Sequence, residues 1–445
     1  MSTPFSPKAL SEFARYYGFH YARVDPSALV QDIHGEMERG LRGQASSLSM
    51  IPAHISPVSR TMPGKTVIAL DAGGTNLRAA LVTFNEDGKA VATDSRKAPM
   101  PGTSGPVGAD AFFDGIAALA APLMKGARVE GIGFCFSYPM EMTSGADGIL
   151  TAFSKEVDAP QVVGMSIGAE LGRALARRNV PAPERIVVLN DTTAALLSGL
   201  SQLPCGGEHL EGGQSGPLTG VILGTGFNTA YPEKRIPKIG FDSPDSPQIV
   251  VCETGGFAHR YAGPLDREFD SATKNPGAYT LEKATAGAYL GPLTFHILKQ
   301  ALRDGLFSFD RQDEFLSWPA LHTKDLNTFL CGPFAQENPI GELFGSGDRD
   351  ALLSVVYLAS IVTGRAALLA AAAIAATVEK AGAGADPLTP ARIVVEGTTY
   401  LAYKGMRSAL ESNLHVLLNR NGPCPFVIAP VEQASLFGAA VAALS

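Results

Sequence analysis

Cysteine is scarce: the chain has five in 445 residues, Cys135, Cys205, Cys252, Cys331 and Cys424. They stand far apart, their count is odd, and none forms a Cys-x-x-Cys pair. Neither a disulfide framework nor a zinc knuckle is supported, and a reducing cytoplasm is the expected compartment. Dense runs of Lys or Arg are absent and the formal net charge is −7. Nucleic acid and anionic membranes are therefore not expected partners. Met1–Arg15 carries no apolar run of the signal-peptide kind. The sequence holds no G-x-G-x-x-G fingerprint and no G-x-x-x-x-G-K-[ST] loop, which excludes the dinucleotide and Walker readings. One apolar run, 351–378, has the length of a membrane span. Gly364 and Arg365 sit at its middle and small residues fill its second half, so a buried core helix, or two helical segments, is expected instead.

Apolar residues make up 45% of the chain and charged residues 18%. A large core can form, and disorder is not expected. The length exceeds one ordinary core and points to two lobes. The first sixty residues read as mostly helical, turning extended over 47–57. Val67–Leu70 and Leu77–Phe84 read as strands around a Gly-rich turn. Gly131–Ser137, Arg185–Leu189, Val221–Leu223, Asn228–Tyr231 and Arg392–Val395 read as further strands. Helices are expected from Asp158, over 193–200, 281–302 and 352–380, and over 435–444. The stretch 233–248 reads as irregular. Strands alternate with helices, so the class is α/β.

Four places could carry chemistry. In Asp71-Ala72-Gly73-Gly74-Thr75-Asn76, glycines without Cβ let backbone N–H groups approach a phosphate, and Asp71 at the strand end could hold Mg²⁺. An ordinary hairpin turn uses the same residues. Gly224-Thr225-Gly226 repeats the strand, Gly turn, strand design; two such turns suit two lobes gripping one polyphosphate. Asp191, in Asn190-Asp191-Thr192, reads either as a general base at a cleft or as a helix N-cap. Glu253 and Glu282 are either surface charges or acceptors for vicinal sugar hydroxyls. Gly164-Met165-Ser166-Ile167-Gly168 fits the G-x-S-x-G pattern of serine hydrolases. That elbow needs a strand just before the Ser, and the expected helix from Asp158 makes it a chance match.

Taken in order, these segments resemble the hexokinases of the eukaryotic type, within the actin-like ATPase superfamily. The resemblance runs from about Leu41 to the C-terminus. It rests on SLSMIP (47–52), LDAGGTNLR (70–78), GFCFSYP (133–139), LNDT (189–192), GTGFNTAY (224–231), LEKATAGAYLG (281–291), Arg365-Ala366-Ala367 and Val395–Tyr400. It implies a two-lobed actin-like (ribonuclease H-like) fold with an interdomain cleft. The implied small lobe is 62–190 plus 430–445 and the large lobe 191–429, with 1–61 packing on the latter. It also implies ATP-dependent phosphorylation of a hexose at the 6-hydroxyl, D-glucose first, with Mg²⁺, at the entry of hexose into glycolysis. Hexose and ATP would be the partners, and the protein a monomer or homodimer.

The roles carried over are as follows. Asp191 would be the base, with Lys155 beside it. Ser137, Ser154, Lys155, Asn190, Asn228, Glu253 and Glu282 would line the sugar site. Asp71 would organise Mg²⁺. Gly73, Gly74, Thr75, Asn76, Arg78, Gly224, Thr225 and Gly226 would hold phosphates, and Gly397 and Thr398 would lie near the adenosine. The chain departs from the family at Ser154-Lys155-Glu156-Val157, where relatives have Thr-Lys-Gly-Phe. It departs again at Thr254-Gly255 after Glu253, and at Glu396, where Asp often precedes the Gly. Other readings are a catalytically silent sugar sensor of the same fold, a kinase for another sugar, and an actin-like filament protein.

Overall fold

The computed structural model describes residues 4–57, 62–153, 157–203, 216–334, 338–344, 348–384, 386 and 388–445. The chain opens on two capped helices. Ser6 accepts the Ala9 N–H to start Pro7–Tyr16, and Asp25 accepts from Ser27 and Ala28 to start Pro26–Leu41. Each has Pro in its first turn, where the missing N–H costs nothing. The chain then extends into a short strand, β1 (Ile51–Pro52).

Two sheets follow. In the first, β2 (Thr66–Gly73) and β3 (Asn76–Phe84) pair antiparallel with Gly73 opposite Asn76. That leaves a two-residue loop whose first member, Gly74, sits at φ +83, the position a tight hairpin reserves for Gly. β4 (Ala90–Pro99) covers the outer edge; it is exposed along most of its length, so no apolar alternation announced it. β5 (Ile132–Phe136) lies parallel to β2, and β8 (Ile186–Leu189) parallel to β5. The strand order is β4-β3-β2-β5-β8. Between β5 and β8 comes a small hairpin, β6 (Met140–Met142) with β7 (Gly148–Leu150).

The second sheet has the order β1-β13-β10-β9-β14-β15. Its strands are β9 (Leu218–Leu223), β10 (Phe227–Glu233), β13 (Gln248–Val251), β14 (Ala391–Glu396) and β15 (Phe426–Pro430). The stretch read as irregular holds one more small hairpin, β11 (Arg235–Ile236) and β12 (Phe241–Asp242). Helices Ala109–Met124 and Ile167–Arg177 bury one face of the first sheet. Its other face takes the C-terminal helix Ala434–Ala442, which lies against helix Asp191–Gln202. The contact between the helices is close: a Cβ on Gly438 would lie 1.8 Å from the Ala194 carbonyl oxygen. The small residues of both helices permit it.

Three local expectations need correction. No helix starts at Asp158. A 3₁₀ turn, Pro160–Val162, comes first, and the helix begins only at Ile167 because Gly164 at φ +86 breaks the path. Ser166 stands at that helix's N-cap, its hydroxyl on Asp147. The same carboxylate accepts the Gly168 and Ala169 N–H groups. No strand runs directly into Ser166, so the hydrolase elbow is absent for this reason and not the one expected. The helix expected over 281–302 is two helices, Thr280–Thr285 and Gly287–Arg303, separated by extended Ala286. The break turns the Gly287 and Ala288 N–H groups onto the carbonyls of Gly224 (2.8 Å) and Thr225 (3.1 Å).

The apolar run forms a single helix, Arg349–Lys380, of 32 residues. It is long and apolar enough to cross a membrane, yet it lies inside the protein against helices Pro26–Leu41, Thr280–Thr285 and Met406–Leu418 and against β10. Arg365 at its centre is wholly buried and grips Asp266 bidentately, at 2.7 and 2.6 Å. A buried guanidinium needs such a partner to offset its lost hydration.

Candidate active site

In both sheets the parallel strands end at the same place. Asp71, Cys135 and Leu189 lie in one row across β2, β5 and β8. Asp71 therefore stands beside the segments that follow those strands, Ser137 and Asn190-Asp191. Glu396 pairs with Ile222 across β14 and β9, which puts Gly397 beside Gly224. Ligands of open α/β sheets gather at such carboxyl ends. Here the two sets face one another across a cavity of about 1060 Å³.

The sequence-predicted residues divide clearly. Asp71, Gly73, Ser137, Asn190, Asp191, Gly224, Thr225, Gly226, Asn228, Glu253, Glu282, Gly397 and Thr398 all line this cavity. Gly74, Thr75, Asn76 and Arg78 form the hairpin tip and its flank, outside the cavity wall; Thr75, Asn76 and Arg78 are exposed. The Gly74 carbonyl is held by the Tyr138 hydroxyl at 2.7 Å. Ser154 and Lys155 lie outside the described residues, as does Cys205.

Asp191 is not the N-cap. Asn190 has that job, accepting the Thr193 N–H at 2.8 Å, and Asp191 is the first helical residue. Its carboxylate lies in the first turn, where the helix dipole favours negative charge. The Thr192 hydroxyl donates to it at 3.2 Å. Opposite, the Asn228 amide donates to Glu253 at 2.9 Å, and its oxygen accepts the Thr229 and Thr254 N–H groups at 2.8 and 3.2 Å. Glu253 itself holds the left-handed backbone, φ +58, a costly place for a residue with a side chain. Glu282 accepts the Phe227 N–H at 3.0 Å.

Burial raises the Glu253 and Glu282 carboxyls above their usual range. Asn228 and the Phe227 N–H respectively pull the other way, and the charge of Asp191 adds to both rises. Burial likewise pushes Glu396 up to about 7, opposed by Ser435 and reinforced by Asp71 and Asp191. The Ser435 N–H and hydroxyl both donate to one Glu396 oxygen, at 3.2 and 3.1 Å. Asp191 is thus felt by all three glutamates. Cys135, behind the row, has its thiol driven far up by burial and the same aspartates, which keeps it out of the chemistry.

On the far side the two glycine segments touch. A Cβ on Gly397, at φ +129, would lie 2.3 Å from the Leu223 carbonyl oxygen and 2.6 Å from the Gly224 nitrogen. Only bare backbone fits there, and it leaves a cradle with exposed Thr225 and Thr398 beside it. The Thr399 hydroxyl fixes the Gly224 carbonyl at 2.7 Å. Sequence reasoning missed Ser435, Tyr279 and Tyr289 on the wall, and saw Glu396 only as a departure. Glu396 could have been found from its place at a strand end just before a Gly. Ser435 carried no local signal, because it arrives from the opposite end of the chain.

Family models described as hexokinase match residues 12–200 and 218–445. The chain belongs to the hexokinase family. It is 30% identical to hexokinase-5 of rice (Oryza sativa subsp. japonica) over 465 aligned positions, covering 96% of this chain and 88% of that one. It is 28% identical to hexokinase-1 of Saccharomyces cerevisiae, covering 94% and 88%. Among solved structures, a hexokinase of Schistosoma mansoni complexed with glucose superposes with TM-score 0.76 at 22% identity, over 99% of both chains. Another hexokinase crystal structure gives 0.78 at 23%, over 98% and 100%. The fold is thus the two-lobed actin-like ATPase fold of the hexokinases, and the chain is a phosphotransferase with an alcohol acceptor. Its reaction class is ATP-dependent phosphorylation of a hexose, which hexokinases carry out generally with Mg²⁺.

Proposed function

We propose that the enzyme transfers the γ-phosphoryl group of ATP to the 6-hydroxyl of D-glucose, with Asp191 as general base, and that mannose and fructose are its further acceptors. One observation carries this reading. Asp191 lines one cavity with Asn228, Glu253 and Glu282 and with Gly224, Thr225 and Gly397. A carboxylate in one space with acceptors for sugar hydroxyls and a glycine cradle for a phosphoryl group supports that reading.

Phosphoryl transfer asks for positioning and charge stabilisation more than for covalent chemistry. Glu253, Glu282, Asn228 and Asn190 offer acceptors and amides to the hydroxyls of a neutral sugar. The hydrogen bond from Asn228 fixes Glu253, and the Phe227 N–H fixes Glu282, so both are oriented before the sugar arrives. Asp191 takes the proton of the attacking hydroxyl. Closure of the cleft keeps water, the competing acceptor, away. Lys155, Ser154 and Ser137 complete the sugar site in this reading.

The residues present fit Mg-ATP. The Gly224–Gly397 approach leaves the backbone-lined space a polyphosphate needs. Among the described residues no three His, Cys, Asp or Glu side chains form a ready metal nest. Magnesium bound by one carboxylate, Asp71, together with substrate phosphates suits that arrangement. When bound, Mg²⁺ supplies neutralisation of the phosphate charge. The free cysteines among the described residues, Cys135, Cys252, Cys331 and Cys424, suit a cytoplasmic enzyme.

The test is a coupled assay with Mg-ATP and glucose, mannose, fructose and glucosamine, run beside Asp191→Ala. The expected loss of kcat is about 10²–10⁴-fold, the usual contribution of a positioned base. Near-normal turnover by the variant would remove Asp191 from the mechanism.

A further inference from the structure

Tyr279 is a large aromatic side chain that is 45% exposed, yet it lines the cleft. It stands three residues before Glu282, immediately ahead of the helix Thr280–Thr285. Its backbone is in the left-handed region, φ +56 and ψ +39. For a bulky residue that conformation is an outlier, and it persists only where the surroundings impose it. They do so here on both sides. Before Tyr279, the Gly277 N–H donates to Asp270 at 2.7 Å. The buried Lys283 ammonium grips the same Asp270 and the Asn275 carbonyl. After it, the Thr280 hydroxyl donates to the Phe257 carbonyl at 2.9 Å, and the Lys283 N–H to the Tyr279 carbonyl at 2.9 Å.

The outcome is a half-exposed ring on the wall of the cleft that Glu253 and Glu282 also line. Tyr289 lines the same cleft, edge-on to Phe269; burial raises its hydroxyl, and both Glu282 and Tyr279 raise it further. Gly or Asn would take this backbone without strain. Placing Tyr there gives up that ease and gains one thing, an exposed aromatic face at the mouth of the site. A pyranose offers such a face an apolar patch, the C–H bonds on one side of its ring, while its hydroxyls point to carboxylates and amides.

We propose that Tyr279 is a substrate-binding and specificity-determining residue, a platform that stacks on the C–H face of the hexose held by Glu253 and Glu282. The inference rests on the assignment of that pocket to the sugar. The platform favours six-membered rings with an unbroken C–H face over flatter or furanose acceptors, so glucose and mannose gain from it more than fructose does.

The test is equilibrium glucose binding by titration calorimetry, without nucleotide, on the wild type, Tyr279→Gly, Tyr279→Asn and Tyr279→Phe. Gly and Asn suit the backbone, so folding is preserved; thermal midpoints no lower than that of the wild type verify this. The expected result is a rise in Kd of about five- to tenfold for both, the scale of one aromatic contact. Tyr279→Phe keeps the ring and stays within about twofold of the wild type. Unchanged Kd in Tyr279→Gly overturns the proposal. So does a Tyr279→Phe variant as weak as Tyr279→Gly, because the hydroxyl and not the ring would then be responsible. Failure of the wild type to bind any hexose would instead strike the sugar-site assignment itself.

Discussion

Glu396 makes stability depend on pH in a direction that can be stated in advance. Its carboxyl has an ordinary value of 4.5 and is pushed to about 7 by burial, with Asp71 and Asp191 adding to the rise. Below the ordinary value, folded and unfolded chains both hold the proton, and the contribution to stability is fully present. As pH climbs from 4.5 toward 7, the unfolded chain releases the proton while the folded one keeps it. Stability is therefore lost across that window and gone above it. Each tenfold change in proton affinity is about 1.4 kcal/mol, so the full loss is about 3 kcal/mol. Glu396→Gln keeps a carbonyl oxygen for the Ser435 N–H and hydroxyl and carries no proton to lose. Urea unfolding of both proteins at about pH 5 and about pH 8 reads the effect. The variant should gain about 2–3 kcal/mol on the wild type between those points. A difference between the two proteins that is constant with pH refutes the argument, and with it the claim that Asp71, Asp191 and Glu396 share one poorly hydrated space.

Two further outcomes follow from the packing. Arg365→Ala leaves the Asp266 carboxylate buried without its bidentate partner, and unfolding in urea should show a loss of about 3–5 kcal/mol. Arg365→Met with Asp266→Leu should recover much of that, because the penalty belongs to the orphaned charge. A Cβ on Gly226 would lie 2.8 Å from Glu282 Oε2. Gly226→Ala should therefore displace that carboxylate and raise the KM for hexose about tenfold or more, since a misplaced binding group is costly. An unchanged KM would detach Glu282 from the sugar.

Much of the site was legible because its chemistry is written in contiguous segments. The glycine turns at 73–76 and 224–226, Asn190-Asp191 and the strand ends before them need only local order to be recognised. The role of Asp191 was not decided locally. Asp and Asn both cap helices, and only the observed bond from Thr193 N–H to Asn190 gives the cap to Asn190 and makes Asp191 the first helical residue. The same holds for the helix break at Ala286. Its sequence reads as continuous helix, and the competing partners that open it are the carbonyls of Gly224 and Thr225, about sixty residues away in the chain.

The sequence by itself determined the α/β class, the two-lobed expectation, the family resemblance and most of the pocket's residue types. These depend on periodicity, turn chemistry and short motifs, all properties of neighbours along the chain. Tertiary structure alone decided the rest. The 349–380 run became a core helix because Asp266 arrives to neutralise Arg365. Glu396 gained its raised proton affinity because folding buries it and brings Asp71 and Asp191 near it from distant segments, against the opposing hydrogen bonds of Ser435. Tyr279 came to face the cleft because Asp270, Lys283 and Thr280 hold its backbone where it would not go unaided. Charge and strain depend on which groups meet through space, and that order is set only when the two sheets close on one another.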